Sequence, residues 1–269
     1  MSNHNQNRYD KLFNLEGKTA IITGAYGYIG SEISKGLTSY GANVILVGRN
    51  KEKLTEFYKQ NKNIFENKCE YFVCDVTSQK QFRKVVSDVI EKYDKISILV
   101  NNAYGKQYET FDDLTKEKWN EAIEKSLTHY FTCIKEVSPF MLKEKNGSII
   151  NISSIYGFLG TDQRIFAPIG RKSPLHYSVC KGGILQITKY LATLWAEDGI
   201  RVNAISPGHM PPKRGPENPD YMKELTKRIP LGRIGKPNDL LGTAILLASD
   251  ASSYITGQNF VVDGGWSVW

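Results

Sequence analysis

Seven apolar runs separated by helical patterns limit this chain to very few folds. The runs are TAIIT (19–23), NVILVG (43–48), CEYFVC (69–74), SILVNN (97–102), GSIINIS (147–153), IRVNAIS (200–206) and NFVVD (259–263). They are largely continuous rather than alternating, so the strands they form are buried on both faces. Helical patterns fill the intervals near 29–39, 51–60, 78–92, 115–143, 176–197 and 237–248. Such an alternation predicts a parallel sheet covered by helices on each side, a doubly wound α/β fold. Its crossovers are right-handed, which gathers the loops, and any ligand, at the carboxyl ends of the strands. No repeat, low-complexity tract or linker divides the chain, and 269 residues with 41% hydrophobic content suit one large core. Residues 15–269 are therefore read as one domain behind a flexible polar arm, residues 1–14. Only SPGHMPPKRGPENPD (206–220), with five of the ten prolines, interrupts the alternation, at a place where a loop can cover a substrate.

Several classes of function are set aside. The net charge of +7 comes with no basic block, zinc pattern or aromatic-rich RNA motif, so no nucleic-acid partner is expected. Cys69, Cys74, Cys133 and Cys180 show no CxxC spacing, which fits reduced thiols in a cytoplasmic protein rather than a disulfide frame or a metal site. His4, His129 and His176 have no metal-ligand spacing, and no metal is expected. No apolar run approaches the roughly 18 residues of a membrane span. The N-terminal segment MSNHNQNRYDKLFN lacks the apolar stretch of a secretory signal.

The turn TGAYGYIG (23–30) joins the first strand to the first helix and spaces Gly24, Gly27 and Gly30 three residues apart. A strand, a glycine turn and a helix start offer a pyrophosphate free backbone N–H groups with no Cβ in the way. A tight turn whose glycines serve packing alone is the competing reading. The second strand ends in Val47-Gly48-Arg49-Asn50, where an acid would otherwise hold the ribose hydroxyls of NAD. Arg49 instead suits a 2′-phosphate, and points to NADP(H) with NAD(H) as the alternative. Asp75, followed by Val76, either reaches the adenine edge or caps the helix that starts near Ser78.

Chemistry is carried by YSVCK (177–181), within a helical pattern. A spacing of four puts Tyr177 and Lys181 on one face, about one turn apart. A free tyrosine titrates near 10, and a neighbouring cation lowers that value toward a useful acid or base. The preceding strand ends in Ser153-Ser154, whose hydroxyl can hold a substrate carbonyl.

With these motifs in order (TGAYGYIG, CDV, NNA, NISS, YSVCK, IRVNAISPG and VVDGG) the chain resembles the compact branch of the short-chain dehydrogenases/reductases from Gly17 to Trp269. The resemblance implies a Rossmann-type fold with a single seven-stranded domain. It implies that Tyr177 exchanges a proton with the substrate oxygen while hydride moves at the nicotinamide. Lys181 would bind the nicotinamide ribose and lower the Tyr177 pKa, and Ser154, rather than Ser153, would orient the carbonyl. Gly24, Tyr26, Tyr28, Ile29, Arg49, Asp75, Val76, Asn102, Ala103, Pro207 and Gly208 would line the cofactor together with Tyr177 and Lys181. The last strand commonly packs against another subunit in this family, which implies a homotetramer or homodimer.

Three departures stand out. Ser126 occupies the place of an Asn that holds a proton-relay water in the family. NNAG reads NNAY, which sets Tyr104 beside the nicotinamide pocket. The interval from Ser154 to Tyr177 is 23 residues, longer than usual, so IYGFLGTDQRIFAPIGRKSPLH should hang over the substrate. Tyr104, Ser154, Tyr156, Arg164 and His209 are the substrate-contact candidates. Arg164, Arg171 and Lys172 on that loop, with His209, Lys213 and Arg214 on the proline-rich one, suit an anionic or polyhydroxylated substrate such as a sugar phosphate or nucleotide sugar; the alternative is ordinary surface charge.

NISSIYG, the long loop and the ending DGGWSVW are similar to oxidoreductases of bacterial surface-glycan and flagellin-glycan pathways. The expected activity is thus NAD(P)-dependent interconversion of a secondary alcohol and a ketone on a sugar-like small molecule. A 3-oxoacyl-thioester (acyl carrier protein) reductase is the alternative enzyme, and an NAD(P)-binding regulator or scaffold with weak turnover is the alternative of another class. If Arg49 holds a 2′-phosphate, Arg49→Ala weakens NADPH binding and leaves NADH binding as it was. Equal affinity of the unaltered protein for both nucleotides in a fluorescence titration, untouched by the substitution, refutes the assignment.

Overall fold

The computed structural model describes residues 11–105, 108–211 and 218–269. Residues 1–10 of the expected arm, and Lys213 and Arg214, lie outside them. Within the arm, Lys11–Phe13 form a 3-10 turn, and Leu15 just after it is fully buried.

Seven parallel strands form one sheet: β1 (Thr19–Thr23), β2 (Asn43–Gly48), β3 (Cys69–Val73), β4 (Ile98–Asn101), β5 (Gly147–Ile152), β6 (Ile200–Pro207) and β7 (Asn259–Val262), in the order β3-β2-β1-β4-β5-β6-β7. Side chains of successive strand residues leave opposite faces, and both faces are apolar. Ile22, Leu46 and Ile150 pack on one side against Ile33, Leu37, Leu54 and Leu247, while Ile21, Ile45 and Ile149 pack on the other against Phe82, Val85, Val137 and Met141. This is the single-domain α/β Rossmann-like fold expected from the continuous apolar runs.

The helices follow their local signals. α1 (Gly30–Ser39) buries Ile33 and Leu37 one turn apart. α2 (Lys51–Gln60) starts at Asn50, whose side chain accepts the Lys53 N–H at 2.9 Å. α3 (Gln79–Tyr93) buries Phe82, Val85, Val86 and Val89. The segment read as one helix over 115–143 is interrupted: α4 (Lys116–Ile123) passes through a π-helical turn, Glu124–Thr128, into α5 (His129–Glu144). α6 (Leu175–Leu194) carries YSVCK.

α7 (Pro219–Lys227) was not anticipated, because the prolines upstream read as a loop. Its start signal is nonetheless present. Asn218 caps the Tyr221 N–H at 3.0 Å and Pro219 occupies the first turn, where a missing N–H costs nothing. α8 (Leu241–Ala248) follows a 3-10 turn at Pro237–Leu240. The order of β1 and β4 creates the switch point at which crossovers leave in opposite directions, the place where open α/β sheets bind their ligands.

The turn into β6 gives a direct test of this packing. Gly199 has φ +72°, and a Cβ there would stand 2.2 Å from the Lys145 carbonyl oxygen. Gly199→Ala should therefore cost about 1–3 kcal/mol in urea unfolding, from strain and overpacking together.

Candidate active site

The candidate site is built on a junction between β1 and β4. Thr23 Oγ1 accepts the N–H groups of Asn102 (2.9 Å) and Ala103 (3.1 Å) and donates to the Val100 carbonyl (3.3 Å). The Asn102 amide donates back to the carbonyls of Thr23 (3.0 Å) and Gly24 (3.1 Å), so its nitrogen secures the turn. Gly24 has φ +65°, and a Cβ on it would lie 3.0 Å from Ala103 Cα. A Cβ on Gly30 would lie 2.3 Å from the Gly24 oxygen. Gly27 donates to that same oxygen at 2.9 Å and does not need a positive φ. The backbone thus curls into a cradle that side chains would fill, at the start of α1. It fits a dinucleotide's phosphates.

Around it, Tyr26 lays its ring against Gly48, which has no Cβ to spare, and accepts the Asn50 N–H on its hydroxyl. Tyr28 points outward and is exposed, while Arg49 is exposed at the end of β2. Asp75, after β3, holds Thr77 through both its N–H (3.0 Å) and its hydroxyl (2.9 Å), closing its own turn instead of capping α3 at Ser78. Burial pushes its pKa up, but these bonds and nearby Arg49 outweigh that and leave it low.

Beyond β5 stand the reacting-group candidates. Ser154, whose Oγ accepts the Tyr156 N–H at 3.2 Å, stands beside Tyr177 and favours its phenolate. Ser153 instead donates to the Lys181 carbonyl at 2.8 Å, pinning α6 to the end of β5. Lys181 is buried, donates from Nζ to the Ile152 carbonyl at 2.8 Å, and lies 5.5, 5.8 and 5.9 Å from the ring centres of Tyr104, Tyr130 and Tyr177. Burial pulls its pKa down to about 8.

One expectation requires correction. The Tyr177 pKa is raised rather than lowered, because burial of the phenolate outweighs the stabilising effect of neighbouring Ser154. Lys181 faces the Ile152 carbonyl and a cage of rings, and its cation does not reverse the desolvation.

Ser126 lies fully buried in the π-helical turn, with its hydroxyl directed to the Gly105 carbonyl at 3.3 Å. Tyr104 stands edge-on to Tyr177, 5.4 Å between ring centres. Tyr156 flanks Tyr177 at 6.5 Å and shares a hydrogen bond with His209 Nε2 at 3.1 Å.

The long loop does meet the late segment. Asn218 donates to the Pro168 carbonyl at 2.8 Å, Phe166 lies against Tyr221, and Asp162 pairs with Arg228. Its cations, however, are spent locally. Arg164 clasps Asp162 through two bonds of 2.8 Å, Lys172 pairs with Asp112, and Arg171 lies over the Tyr108 ring. Arg164 and Arg228 together keep the Asp162 carboxyl well below the usual range.

Two residues escaped sequence reasoning. His129, fully buried at the start of α5, bonds the Ala103 carbonyl at 3.1 Å and supports the loop after β4. Trp266 packs on His209 with ring centres 4.4 Å apart. A histidine following a polar helix turn and a tryptophan near the end of the chain carry no spacing signal. Cys69, Cys74, Cys133 and Cys180 are buried and unbridged, with burial pushing each thiol up. Among the described residues no group of three or more His, Cys, Asp or Glu is placed to hold a metal ion, and no helix is long and apolar enough to cross a membrane.

Comparison with known proteins places this geometry. A family model described as enoyl-(acyl carrier protein) reductase matches residues 24–267. The chain is 36% identical to a 3-oxoacyl-[acyl-carrier-protein] reductase of Thermotoga maritima, over 93% of this chain and 98% of that one. It is 35% identical to an NADP-dependent mannitol dehydrogenase of Alternaria alternata, over 96% and 95%. Among solved structures, a gluconate 5-dehydrogenase from Burkholderia cenocepacia in complex with NADP and tartrate superposes with a TM-score of 0.86 at 29% identity, over 97% and 99% of the two chains.

His129 and His209 are each held by burial at about 4, below their ordinary 6.5. The unfolded chain therefore takes up protons first, and folding stability is lost as the pH falls from about 6.5 to about 4. His129→Gln should flatten the pH dependence of the unfolding free energy in that window. A slope identical to that of the unaltered chain would show that His129 is not held neutral.

Proposed function

This chain belongs to the short-chain dehydrogenase/reductase family, and from that premise we propose that it interconverts a secondary alcohol and a ketone on a sugar or polyol, with NADP(H) as its preferred cofactor and Tyr177 as the proton-transferring residue. It is an oxidoreductase acting on CH–OH groups. The observation that carries the finer reading is the cluster of Ser154, Tyr177 and Lys181 at the end of β5, beside the glycine cradle.

Gly24, Ile29 and the start of α1 would hold the cofactor's phosphates, Arg49 its 2′-phosphate and Asp75 with Val76 its adenine. Asn102, Ala103, Pro207, Gly208 and Lys181 would line its nicotinamide end. A bound nicotinamide supplies or accepts the hydride. The protein's own part is the proton. In the reductive direction, Ser154 donates a hydrogen bond to the carbonyl oxygen and Tyr177, kept protonated by its burial, gives up its phenolic proton as the alkoxide develops. In the oxidative direction the phenolate takes the hydroxyl proton. Lys181, held at about 8, is ionised near neutral pH and its positive charge stabilises that phenolate. Ser126, on the π-helical turn, would hold the water that returns the proton to solvent.

The NADP preference is supported by the exposed Arg49 in place of an acid and by the NADP-dependent mannitol dehydrogenase among the relatives. The sugar-like substrate is supported by the mannitol dehydrogenase and gluconate 5-dehydrogenase to which the chain is similar. The acyl carrier protein reductase of Thermotoga maritima favours a second reading, 3-oxoacyl-thioester reduction. We also propose a homodimer or homotetramer built on the half-covered edge strand β7, and a cytoplasmic location, where unbridged thiols persist.

A panel of polyols, sugar acids, sugar phosphates, nucleotide sugars and 3-oxoacyl thioesters, followed by NAD(P)H absorbance, separates these substrate classes. With the best of them, Tyr177→Phe should lower kcat by about 10²–10⁴-fold while cofactor affinity is retained. Full turnover by that variant removes Tyr177 from the proton-transfer role.

A further inference from the structure

A second polar pole faces the same space as Tyr177 and takes no part in the proton transfer. Tyr156 stands in the turn Ile155–Gly157 directly after β5, with its phenol ring 6.5 Å from that of Tyr177 and steeply inclined to it at 75°. Its hydroxyl is bonded to His209 Nε2 at 3.1 Å, and His209 follows Pro207-Gly208 at the end of β6. Trp266 packs behind the imidazole. Asp263 fixes the segment bearing Trp266 by accepting the N–H groups of Gly265 and Ser267, each at 2.8 Å. Three separate parts of the chain thus immobilise one phenolic oxygen beside the reacting position.

A phenol offers one donor and two acceptor sites, and the bond with His209 uses one of them. When Tyr156 donates to Nε2, its oxygen still accepts from a ligand; when Nε2–H donates to Tyr156, the phenolic proton is free to reach a ligand oxygen. Burial keeps the phenol protonated and the imidazole neutral. The pole therefore suits a neutral oxygen, and a hydroxyl satisfies it in either sense. Among the described residues of the long loop and α7, the charges are engaged elsewhere: Arg164 and Arg228 both bind Asp162, and Lys172 binds Asp112.

Resting on the hydride-transfer reading above, we propose that Tyr156, positioned by His209 and Trp266, binds the oxygen on the carbon next to the reacting one, so that the substrates are vicinal diols and α-hydroxyketones. A polyol carries a hydroxyl at that carbon. A 3-oxoacyl thioester carries a methylene there, which would leave the Tyr156 oxygen desolvated and unmatched.

The test pairs two ketones that differ only in this oxygen, 3-hydroxybutan-2-one and butan-2-one, each reduced with NADPH. The protein should favour the hydroxyketone in kcat/KM by about a hundredfold, as a site built around a substrate hydroxyl does. Tyr156→Phe should lower that ratio about tenfold or more, the worth of one buried hydrogen bond. His209→Gln, which keeps a donor and an acceptor, should lower it less than His209→Phe. Equal rates for both ketones, or a ratio unmoved by Tyr156→Phe, overturns the proposal.

Calorimetric titration of the NADP⁺-loaded protein with butane-2,3-diol and butan-2-ol decides the same point without turnover. A preference for the diol that Tyr156→Phe abolishes supports the proposal, and equal affinities overturn it. Inertness toward both ketones, combined with selective binding of the diol, would count against hydride transfer and leave the role of Tyr156 supported.

Discussion

The hydroxyl of Thr23 holds this molecule's working end together. It accepts the N–H groups of Asn102 and Ala103 from the neighbouring strand end, and the Asn102 amide donates in return to the carbonyls of Thr23 and Gly24. Four backbone groups that would otherwise be desolvated at the end of a parallel sheet are satisfied by these two side chains. Gly24 and Gly30 follow from that closure, because a Cβ on either would press into the same bonds. The loop continuing from Ala103 delivers Tyr104 to Tyr177 and Lys181, so the acid/base cluster is aligned by the same contacts that shape the cradle.

Much of this was legible from residue types alone. β1 and β2 fall at TAIIT and NVILVG because uninterrupted branched apolar runs have no other stable use than a doubly buried strand. YSVCK and the Ser153-Ser154 pair could be placed because their chemistry depends on helical spacing and on a strand end, both local properties. What escaped was non-local. The π-helical turn at Glu124–Thr128 leaves an ordinary helical pattern in the residues themselves, and its partner, Gly105, arrives from another element. The basic loop read as an anion mouth because Arg164 and Lys172 are visible in sequence, whereas Asp162 and Asp112 become their partners only in the fold.

The electrostatics of the cluster also differ from a simple pairing of cation and phenol. Lys181 gives its hydrogen bond to the Ile152 carbonyl, which also receives the Tyr130 hydroxyl at 2.9 Å. Desolvation then dominates both partners, lifting Tyr177 and lowering Lys181. Each is displaced toward its neutral form, and the two, whose ordinary values lie close together near 10, move apart on the pH scale.

The strand order has a consequence for how the molecule comes into being. β1 sits between β2 and β4, and the junction bond from Asn102 to Thr23 spans 79 residues of chain. Closing so long a loop costs entropy before any contact repays it, and parallel pairing at this separation is intrinsically slow. No fragment ending before β4 can contain the phosphate cradle, however well its first strand and helix form. The ability to hold a nucleotide should thus appear late during folding, in step with completion of the central sheet.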